Sequence, residues 1–201
     1  MRGSMSKRSV IWLLVLSLVF ALAGCSSDAG QTAVPADPGE EPSGQAENGY
    51  DFPDIRFFDA SLLDGSASTG EELFAGKDVT VINCWATWCP PCLEEMDELA
   101  AFAKTLPDNV QLITYCVDGT QHRDECARVL EEAGFEGTTM ISANGDFTTL
   151  IEQMQYVPTT LFVDSVGCQL CDSLIGSPTD LAAAYTECIN AGLKSLGKGT
   201  L

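Results

Sequence analysis

The chain has 201 residues, of which 29 are acidic and 10 are basic, and its formal net charge is −19 at pH 7. This charge disfavours nucleic acid and an anionic membrane surface as partners, because binding to either depends on Lys and Arg contacts. The length fits one domain with tails, and nine cysteines indicate an oxidising compartment or a dedicated thiol chemistry.

The first 24 residues have the pattern of a secretory signal: a basic start, an apolar core over 10–22 and small residues at the end. The apolar core is shorter than the roughly 20 residues that a bilayer-spanning helix needs. The sequence Leu22-Ala23-Gly24-Cys25 resembles the bacterial lipobox, and this resemblance implies cleavage before Cys25 and lipidation of its sulfur. An uncleaved anchor, or a cleaved soluble protein in which Cys25 is incidental, is the alternative.

Residues 25–49 contain no aromatic residue and almost nothing large and apolar. Such a segment buries too little surface to offset the entropy of ordering, so we predict a disordered tether. The folded domain is then expected over 50–201.

Within this domain, apolar runs and turn residues predict strands that alternate with helices. The predicted strands are 55–59, 66–68, 79–86, 110–117, 138–142, 159–164 and 168–174. The predicted helices are a short one from an N-cap at Thr69 through residue 74, then 90–106, 123–133, 147–155 and 179–196. This order, with a hairpin at the end, indicates an α/β domain with a mixed central sheet.

The predicted helix over 90–106 has one apolar stripe that should face the core. Its members are Leu93, Met96, Leu99, Ala100, Ala103 and Leu106.

Cys89 and Cys92 stand where the apolar run over 79–86 leads into this helix. Unpaired backbone N–H groups and the helix dipole stabilise a thiolate at such a position. Pro90 and Pro91 suit the first helical positions, where a missing N–H costs little. We therefore predict a redox-active pair in which Cys89 attacks and Cys92, deeper in the helix, resolves the mixed disulfide.

A metal site is not expected, because a zinc-binding pair needs a second CxxC or suitably spaced histidines, and His122 is the only histidine in the chain. We expect no cofactor either.

The motif WATWCPPC, the β run before it and the distant Val157-Pro158-Thr159-Thr160 resemble the thioredoxin-like lipoproteins and oxidoreductases of the TlpA/ResA type. The resemblance implies a thioredoxin-like fold with a helix-containing insertion near 118–155. It also implies a cis Pro158 against the cysteine pair, with the backbone of Val157 pairing with the substrate chain.

The same resemblance implies a substrate-binding surface made of Trp88, Pro90, Pro91, Val157 and Pro158, in which Trp88 shields the reactive sulfur.

Glu95 lies where this family often has a glutamate that assists proton transfer. Thioredoxin itself has a buried Asp at the position of Asn83. Because this chain lacks that Asp, Glu95 becomes the stronger candidate for the proton-handling group. The alternative is that Glu95 is a solvated acid stabilised by the helix dipole.

The remaining cysteines are predicted to be structural. Cys84 and Cys116 fall in buried strands, where each is expected to be a small buried hydrophobic residue. Cys126 and Cys188 fall in helices, and packing or a structural bridge is expected for them. Cys168 and Cys171 form a second CxxC, but no helix begins behind it, which favours a structural disulfide or free thiols over a second redox centre. The sequence does not fix which of these cysteines pair.

Together these features predict a lipid-anchored, extracytoplasmic thiol:disulfide oxidoreductase that reduces disulfide-containing proteins, for example in cytochrome c maturation or reductive repair. The family resemblance implies a membrane electron donor of the CcdA/DsbD kind. One alternative is a thiol peroxidase, although the threonine expected three residues before a peroxidatic cysteine is replaced by Ala86. Another is a non-catalytic binding lipoprotein on a thioredoxin scaffold.

Overall fold

The computed structural model describes residues 52–201. The strands are β1 (Asp59–Leu62), β2 (Ala67–Thr69), β3 (Val79–Trp85), β4 (Val110–Cys116), β5 (Thr139–Ala143), β6 (Thr159–Val163) and β7 (Leu174–Ile175). The helices are α1 (Gly70–Phe74), α2 (Pro90–Ala103), α3 (Arg123–Ala133), α4 (Asp146–Gln153) and α5 (Leu181–Ser195). No helix within residues 52–201 has the length and apolar composition needed to cross a bilayer.

One mixed sheet runs through the described residues in the order β2-β1-β5-β4-β3-β6-β7. Strand β3 pairs in parallel with β4 and antiparallel with β6, and β4 pairs in parallel with β5. This arrangement, with helices on both faces, confirms the predicted α/β fold with a thioredoxin-like mixed sheet.

Strand β3 is buried along its whole length, because apolar clusters cover both faces of the sheet. Val81 and Trp85 pack into a cluster with α2, α3 and α5, whereas Ile82 and Cys84 pack into a second cluster with α1 and α4. A strand buried on both faces reads as a continuous apolar run. For this reason its position was predicted to within one residue.

Two helix ends were also predicted. Thr69 caps α1, its side chain accepting from Glu72 N while the Glu72 carboxylate accepts from Thr69 N. Gly134 ends α3 in the left-handed region at φ 69°, where residues with a Cβ are disfavoured.

The predicted first strand over 55–59 is wrong, since β1 begins at Asp59. The reason is a side chain distant in sequence: Oδ2 of Asp146 accepts hydrogen bonds from Arg56 N at 3.0 Å and Phe57 N at 2.8 Å. These backbone donors are therefore satisfied without a neighbouring strand.

The predicted strand over 168–174 is also largely wrong. An isolated bridge joins Val163 and Gln169, and β7 contains only two residues. Oδ1 of Asp164 accepts from the backbone N–H groups of Val166 and Cys168, which holds residues 164–168 as a turn just before the predicted strand. The last helix begins later than predicted, at Leu181, because the Asp180 side chain provides the N-cap by accepting from Ala183 N.

Helix α2 ends at Ala103 rather than at Leu106, and its buried face differs from the predicted stripe. Leu93 is 38% exposed, whereas Glu95 is only 5% exposed. The buried residues on this helix are Cys92, Glu95, Met96, Leu99, Ala100 and Phe102. The prediction ranked side chains by hydrophobicity alone and therefore placed Leu93 on the buried face of α2. That face contains the carboxyl group of Glu95 instead.

Candidate active site

The cysteine pair lies just beyond the carboxyl end of β3, where α2 begins. Cys89 is the N-cap of α2, and its Sγ accepts from Cys92 N at 3.3 Å. The two cysteines are joined as a disulfide, with their Cα atoms 5.3 Å apart. Once this bond is reduced, the same backbone N–H and the helix dipole are placed to stabilise a thiolate on Cys89.

The surface around the disulfide consists of residues from two separate segments. Pro90 and Pro91 occupy the first two positions of α2 and are exposed, and Trp88 is 66% exposed. Shielding of the reactive sulfur by Trp88 stays a prediction. Both cysteines are buried, with Cys89 slightly less so than Cys92.

The second segment reaches the disulfide through Val157 and Pro158. The bond between them is cis, as the family resemblance implied, and Sγ of Cys89 lies 3.5 Å from the carbonyl oxygen of Val157. Because a disulfide sulfur carries no hydrogen, this is a contact in the oxidised state and becomes a possible hydrogen bond when Cys89 is a thiol. The structure thus brings Cys89, Cys92 and the Val157–Pro158 segment together.

A buried polar cluster, made of Asn83, Glu95, Thr160 and Tyr185, lies beneath this surface. Nδ2 of Asn83 is 3.0 Å from Oε1 of Glu95 and 3.2 Å from both Thr160 Oγ1 and Tyr185 OH. The two hydroxyl groups are 2.7 Å apart. Asn83 and Thr160 are direct register partners on β3 and β6, so the sheet itself places them side by side.

The surroundings of Glu95 raise the pKa of its carboxyl group. Desolvation by burial raises its pKa, although the Ser177 and Asn83 side chains act in the opposite direction. Oε2 of Glu95 makes no hydrogen bond to the described residues, although the Ser177 side chain lies near enough to the carboxyl to lower its pKa. The alternative of a solvated acid is therefore wrong, and the buried carboxyl lies one helical turn after Cys92.

Sequence reasoning missed Thr160 as a polar partner and missed Tyr185 altogether. Tyr185 is fully buried on α5, and its ring packs edge-on against both Phe102 and Phe162. A tyrosine on the apolar face of a helix is an ordinary core residue in sequence. Only the fold shows that its hydroxyl meets Asn83.

Asp118 is a further residue that the sequence did not single out. Its carboxylate accepts from Thr87 N at 3.0 Å and from Thr87 Oγ1 at 2.5 Å, and it also accepts from Cys116 Sγ at 3.2 Å. Burial raises the pKa of Asp118, but the hydrogen bonds from Thr87 and Cys116 outweigh it and lower the pKa overall. Asp118 therefore fixes the loop that carries Trp88 and Cys89.

The six other described cysteines are free thiols. Cys84 is fully buried, and desolvation raises its pKa. Two pairs lie side by side and interact through their sulfurs, Cys116 with Cys126 and Cys171 with Cys188. Cys168 and Cys171, which the sequence suggested as a possible structural disulfide, are not bonded. Cys25 lies outside the described residues.

The fold and the site define the class of this molecule: a thioredoxin-like α/β protein with a disulfide at a helix N-terminus. A sequence model of the family described as Redoxin matches residues 47–168, more than half of the chain. The chain belongs to the Redoxin family.

Comparisons with individual proteins agree with this class. The chain is 30% identical over 103 residues to a protein of Paracoccus denitrificans named "Thiol:disulfide interchange protein DsbE homolog". This match covers 51% of the chain and spans about half (53%) of that relative.

Two solved structures share the fold. A DsbF homologue from Corynebacterium diphtheriae superposes with a TM-score of 0.58 at 19% identity, covering 76% of this chain and 96% of that one. A structure described as a secreted thiol-disulfide isomerase from Corynebacterium glutamicum gives a TM-score of 0.54 at 19% identity, covering 73% and 92% of the two chains.

Proposed function

We propose that this protein is a thiol:disulfide oxidoreductase that works outside the cytoplasm and reduces disulfides in partner proteins. The observation that carries the proposal is Cys89 at the N-cap of α2, bonded to Cys92 and in contact with the carbonyl of Val157. The name of the Paracoccus relative describes the same exchange chemistry.

The reaction begins with the reduced pair. The Cys89 thiolate attacks one sulfur of the substrate disulfide, forming a mixed disulfide and releasing the first substrate thiolate. Cys92 then gives up its proton and attacks the sulfur of Cys89, which releases the second substrate thiolate and forms the Cys89–Cys92 bond. Two electrons pass from the protein to the substrate in each cycle.

Glu95 accepts the proton of Cys92 during the second step in this proposal. Its support is the location of the buried carboxyl one turn after Cys92 and a pKa that desolvation raises towards that of a thiol. A carboxyl group with a raised pKa is a stronger base than a solvated one.

The substrate chain lies along the Val157–Pro158 segment, flanked by the exposed side chains of Trp88, Pro90 and Pro91. We propose that the backbone of Val157 pairs with the substrate next to its disulfide. A membrane dithiol donor of the CcdA/DsbD kind returns the pair to its reduced state.

Anchoring at Cys25 completes the proposal. Its support is the lipobox-like sequence Leu22-Ala23-Gly24-Cys25 behind a signal pattern, with a tether over 25–49 and the domain over 50–201. The description of the Corynebacterium glutamicum structure as secreted is consistent with an extracytoplasmic location. Metabolic labelling with a fatty acid should mark the wild type and leave Cys25→Ser unlabelled, and equal labelling of both would exclude lipidation at this sulfur.

Trapping tests the exchange mechanism. Cys92→Ala in the native host should accumulate proteins that are linked to Cys89 and released by reductant, whereas Cys89→Ala/Cys92→Ala should accumulate none. If both variants give the same proteins, the mechanism is wrong. A reduction potential near −120 mV, the strongly oxidising end of the thioredoxin-fold range, would contradict the reductive direction.

The peroxidase alternative has a separate readout. The residue three positions before Cys89 is Ala86, fully buried and without a hydroxyl. Rapid peroxide consumption in the absence of a disulfide substrate would favour that activity over the one proposed.

A further inference from the structure

The second CxxC lies in the segment between β6 and β7, and the fold places its two cysteines in different surroundings. The Cys168 thiol interacts with Asp54, and its backbone N–H donates to Asp164 Oδ1 at 2.9 Å. Gln169 then bridges to Val163, so the chain passes the sheet edge in an extended form. Cys171 lies beyond this bridge, against α5.

Cys171 lies close to Cys188 on α5, and the two thiol side chains are near enough to shift each other's pKa. Both residues are half-buried, and both pack against the apolar cluster that includes α2 and α5.

A neighbouring contact holds the same segment in place. The Leu170 side chain packs so closely over Gly192 that a Cβ there would lie 2.9 Å from Leu170 Cδ1. Gly192 follows Cys188 by four residues and therefore lies on the same face of α5. The meeting of Cys171 and Cys188 belongs to a packed interface between this segment and the helix.

We propose that Cys171 and Cys188 form a second disulfide, which fastens the segment between β6 and β7 to α5 when the protein is in an oxidising compartment. This inference rests on the extracytoplasmic location in the proposed function but not on the exchange activity of Cys89. A bond between Cys171 and Cys188 also excludes the bond between Cys168 and Cys171 that the CxxC spacing suggests.

The chemistry is a second thiol–disulfide exchange. The Cys188 thiolate attacks a small-molecule disulfide such as oxidised glutathione, forming a mixed disulfide and releasing one thiolate. Cys171 then loses its proton and attacks the Cys188 sulfur, which releases the second thiol. One disulfide is formed, one is reduced, and the acceptor takes up two electrons.

Accessibility distinguishes this pair from the other adjacent thiols. Cys116 and Cys126 are both fully buried, so a disulfide reagent has no route to either sulfur while the protein is folded. Cys171 and Cys188 retain exposed surface. Only the latter pair is placed to react from the native state.

The bond has a structural consequence near the candidate active site. Cys188 lies one turn after Tyr185, whose hydroxyl meets Asn83, and Cys171 lies three residues before β7. A bond between them ties the sheet edge beside β6 to the helix that carries Tyr185.

Peptide mapping of the full chain tests the pairing. The reduced protein is incubated with oxidised glutathione, its remaining thiols are alkylated, and it is cleaved after glutamate. Cleavage after Glu152 and Glu187 leaves Cys168 and Cys171 in the peptide 153–187 and leaves Cys188 in the peptide 188–201. The two peptides should be linked in the wild type and in Cys168→Ser, and separate in Cys171→Ser. Alkylated Cys188 in the wild type, or loss of the link in Cys168→Ser, would overturn the proposal.

Thermal unfolding tests whether the bond fastens the fold. Cys188→Ser should melt about 5 to 10 °C below the oxidised wild type, because a ring of this size restricts the unfolded chain, while Cys168→Ser should melt close to it. Equal melting temperatures for Cys188→Ser and the oxidised wild type would show that the bond does not stabilise the fold. Insulin reduction distinguishes this proposal from the proposed function. Activity should persist in Cys171→Ser and disappear in Cys89→Ala. Activity that persists in Cys89→Ala would contradict the proposed function but would leave the mapped bond intact.

Discussion

The Nδ2 atom of Asn83 lies 3.0 Å from the Oε1 atom of Glu95, in a cluster from which water is almost entirely excluded. Asn83 comes from the central strand β3 and Glu95 from α2, so this contact joins the sheet to the helix that presents the cysteine pair. A neutral amide does not compensate a buried negative charge as a cation would. The pKa of the Glu95 carboxyl is therefore raised in the folded protein.

The pH dependence of the free energy of unfolding should report the raised pKa of Glu95. Because burial raises the pKa of Glu95 above its ordinary value of 4.5, the stability contributed by the protonated carboxyl is fully present below pH 4.5. It is lost as the pH rises through the higher folded-state pKa. Glu95→Gln keeps a neutral group at all pH values and should gain stability relative to the wild type as the pH rises from 4.5 to 8, measured by urea unfolding.

Glu94→Gln is the matched control, because Glu94 is the exposed neighbour of Glu95 on the same helix. Its unfolding curve should follow the wild type across this pH range. Parallel behaviour of Glu95→Gln and the wild type would mean that folding does not raise the pKa of Glu95.

The same substitution should slow the resolving step. Without a carboxylate to accept the Cys92 proton, attack on a Cys89 mixed disulfide should fall about 100-fold, a typical contribution of general base catalysis. The measurement is the release of 5-thio-2-nitrobenzoate from its adduct with Cys89. In the wild type this rate should rise with pH through the raised pKa of Glu95, and in Glu95→Gln that rise should be absent. An unchanged rate and profile would assign the proton to another acceptor.

The hydroxyl of Tyr185 should stabilise the same cluster. Tyr185→Phe keeps the ring in its edge-on contacts but deprives Thr160 and Asn83 of a buried partner, which typically costs about 1 to 3 kcal/mol. Urea unfolding should show this loss, while Tyr156→Phe, at a residue that is 62% exposed, should leave stability unchanged. A Tyr185→Phe protein as stable as the wild type would mean that the remaining members of the cluster satisfy one another.

The cluster shows what the sequence could and could not predict. Strand β3 was predictable because burial on both faces produces a continuous apolar run, and the cysteine pair was predictable because its spacing and its position before a helix are local features. The partners of Asn83 were not, since Tyr185 lies 102 residues away in sequence. The first strand was misplaced for the same reason, because Asp146 takes the backbone donors of Phe57 from 89 residues away.

The inward direction of Glu95 illustrates a second limit. A hydrophobicity pattern ranks Leu93 as core and Glu95 as surface, but the rotation of α2 is fixed by the bond between Cys89 and Cys92 and by packing of Met96 and Leu99. Once Cys92 faces inward, the residue one turn later must do so as well.

Asp118 should stabilise the loop before Cys89 in a pH-dependent way. Hydrogen bonds lower its folded-state pKa below the ordinary 3.8, so its contribution is present above pH 3.8 and is lost as the pH falls through the lower folded-state value. Asp118→Asn should lower the free energy of unfolding by about 1 kcal/mol at pH 7, allowing for solvent screening of a half-buried group. The difference from the wild type should close at acid pH. Asp97→Asn, at an exposed position on α2, should show no such difference, and a deficit for Asp118→Asn that persists unchanged in acid would contradict the assignment.

Trp88 and Tyr156 should contribute to binding of protein substrates. Each is an exposed aromatic residue next to a site segment, Trp88 preceding Cys89 and Tyr156 preceding Val157. Truncating an aromatic contact at an interface commonly costs more than 1 kcal/mol, so Trp88→Ala or Tyr156→Ala should raise KM for a disulfide-bonded protein about 5- to 10-fold. The rate with a small disulfide such as oxidised glutathione should be nearly unchanged, because that substrate does not extend to these side chains.

Phe57→Ala is the control, because it removes a similarly exposed ring, 78% accessible, from the segment before β1. It should alter neither the KM for the protein nor the rate with the small disulfide. A loss with the small disulfide as large as the loss with the protein would place the effect on the chemistry of Cys89 rather than on docking.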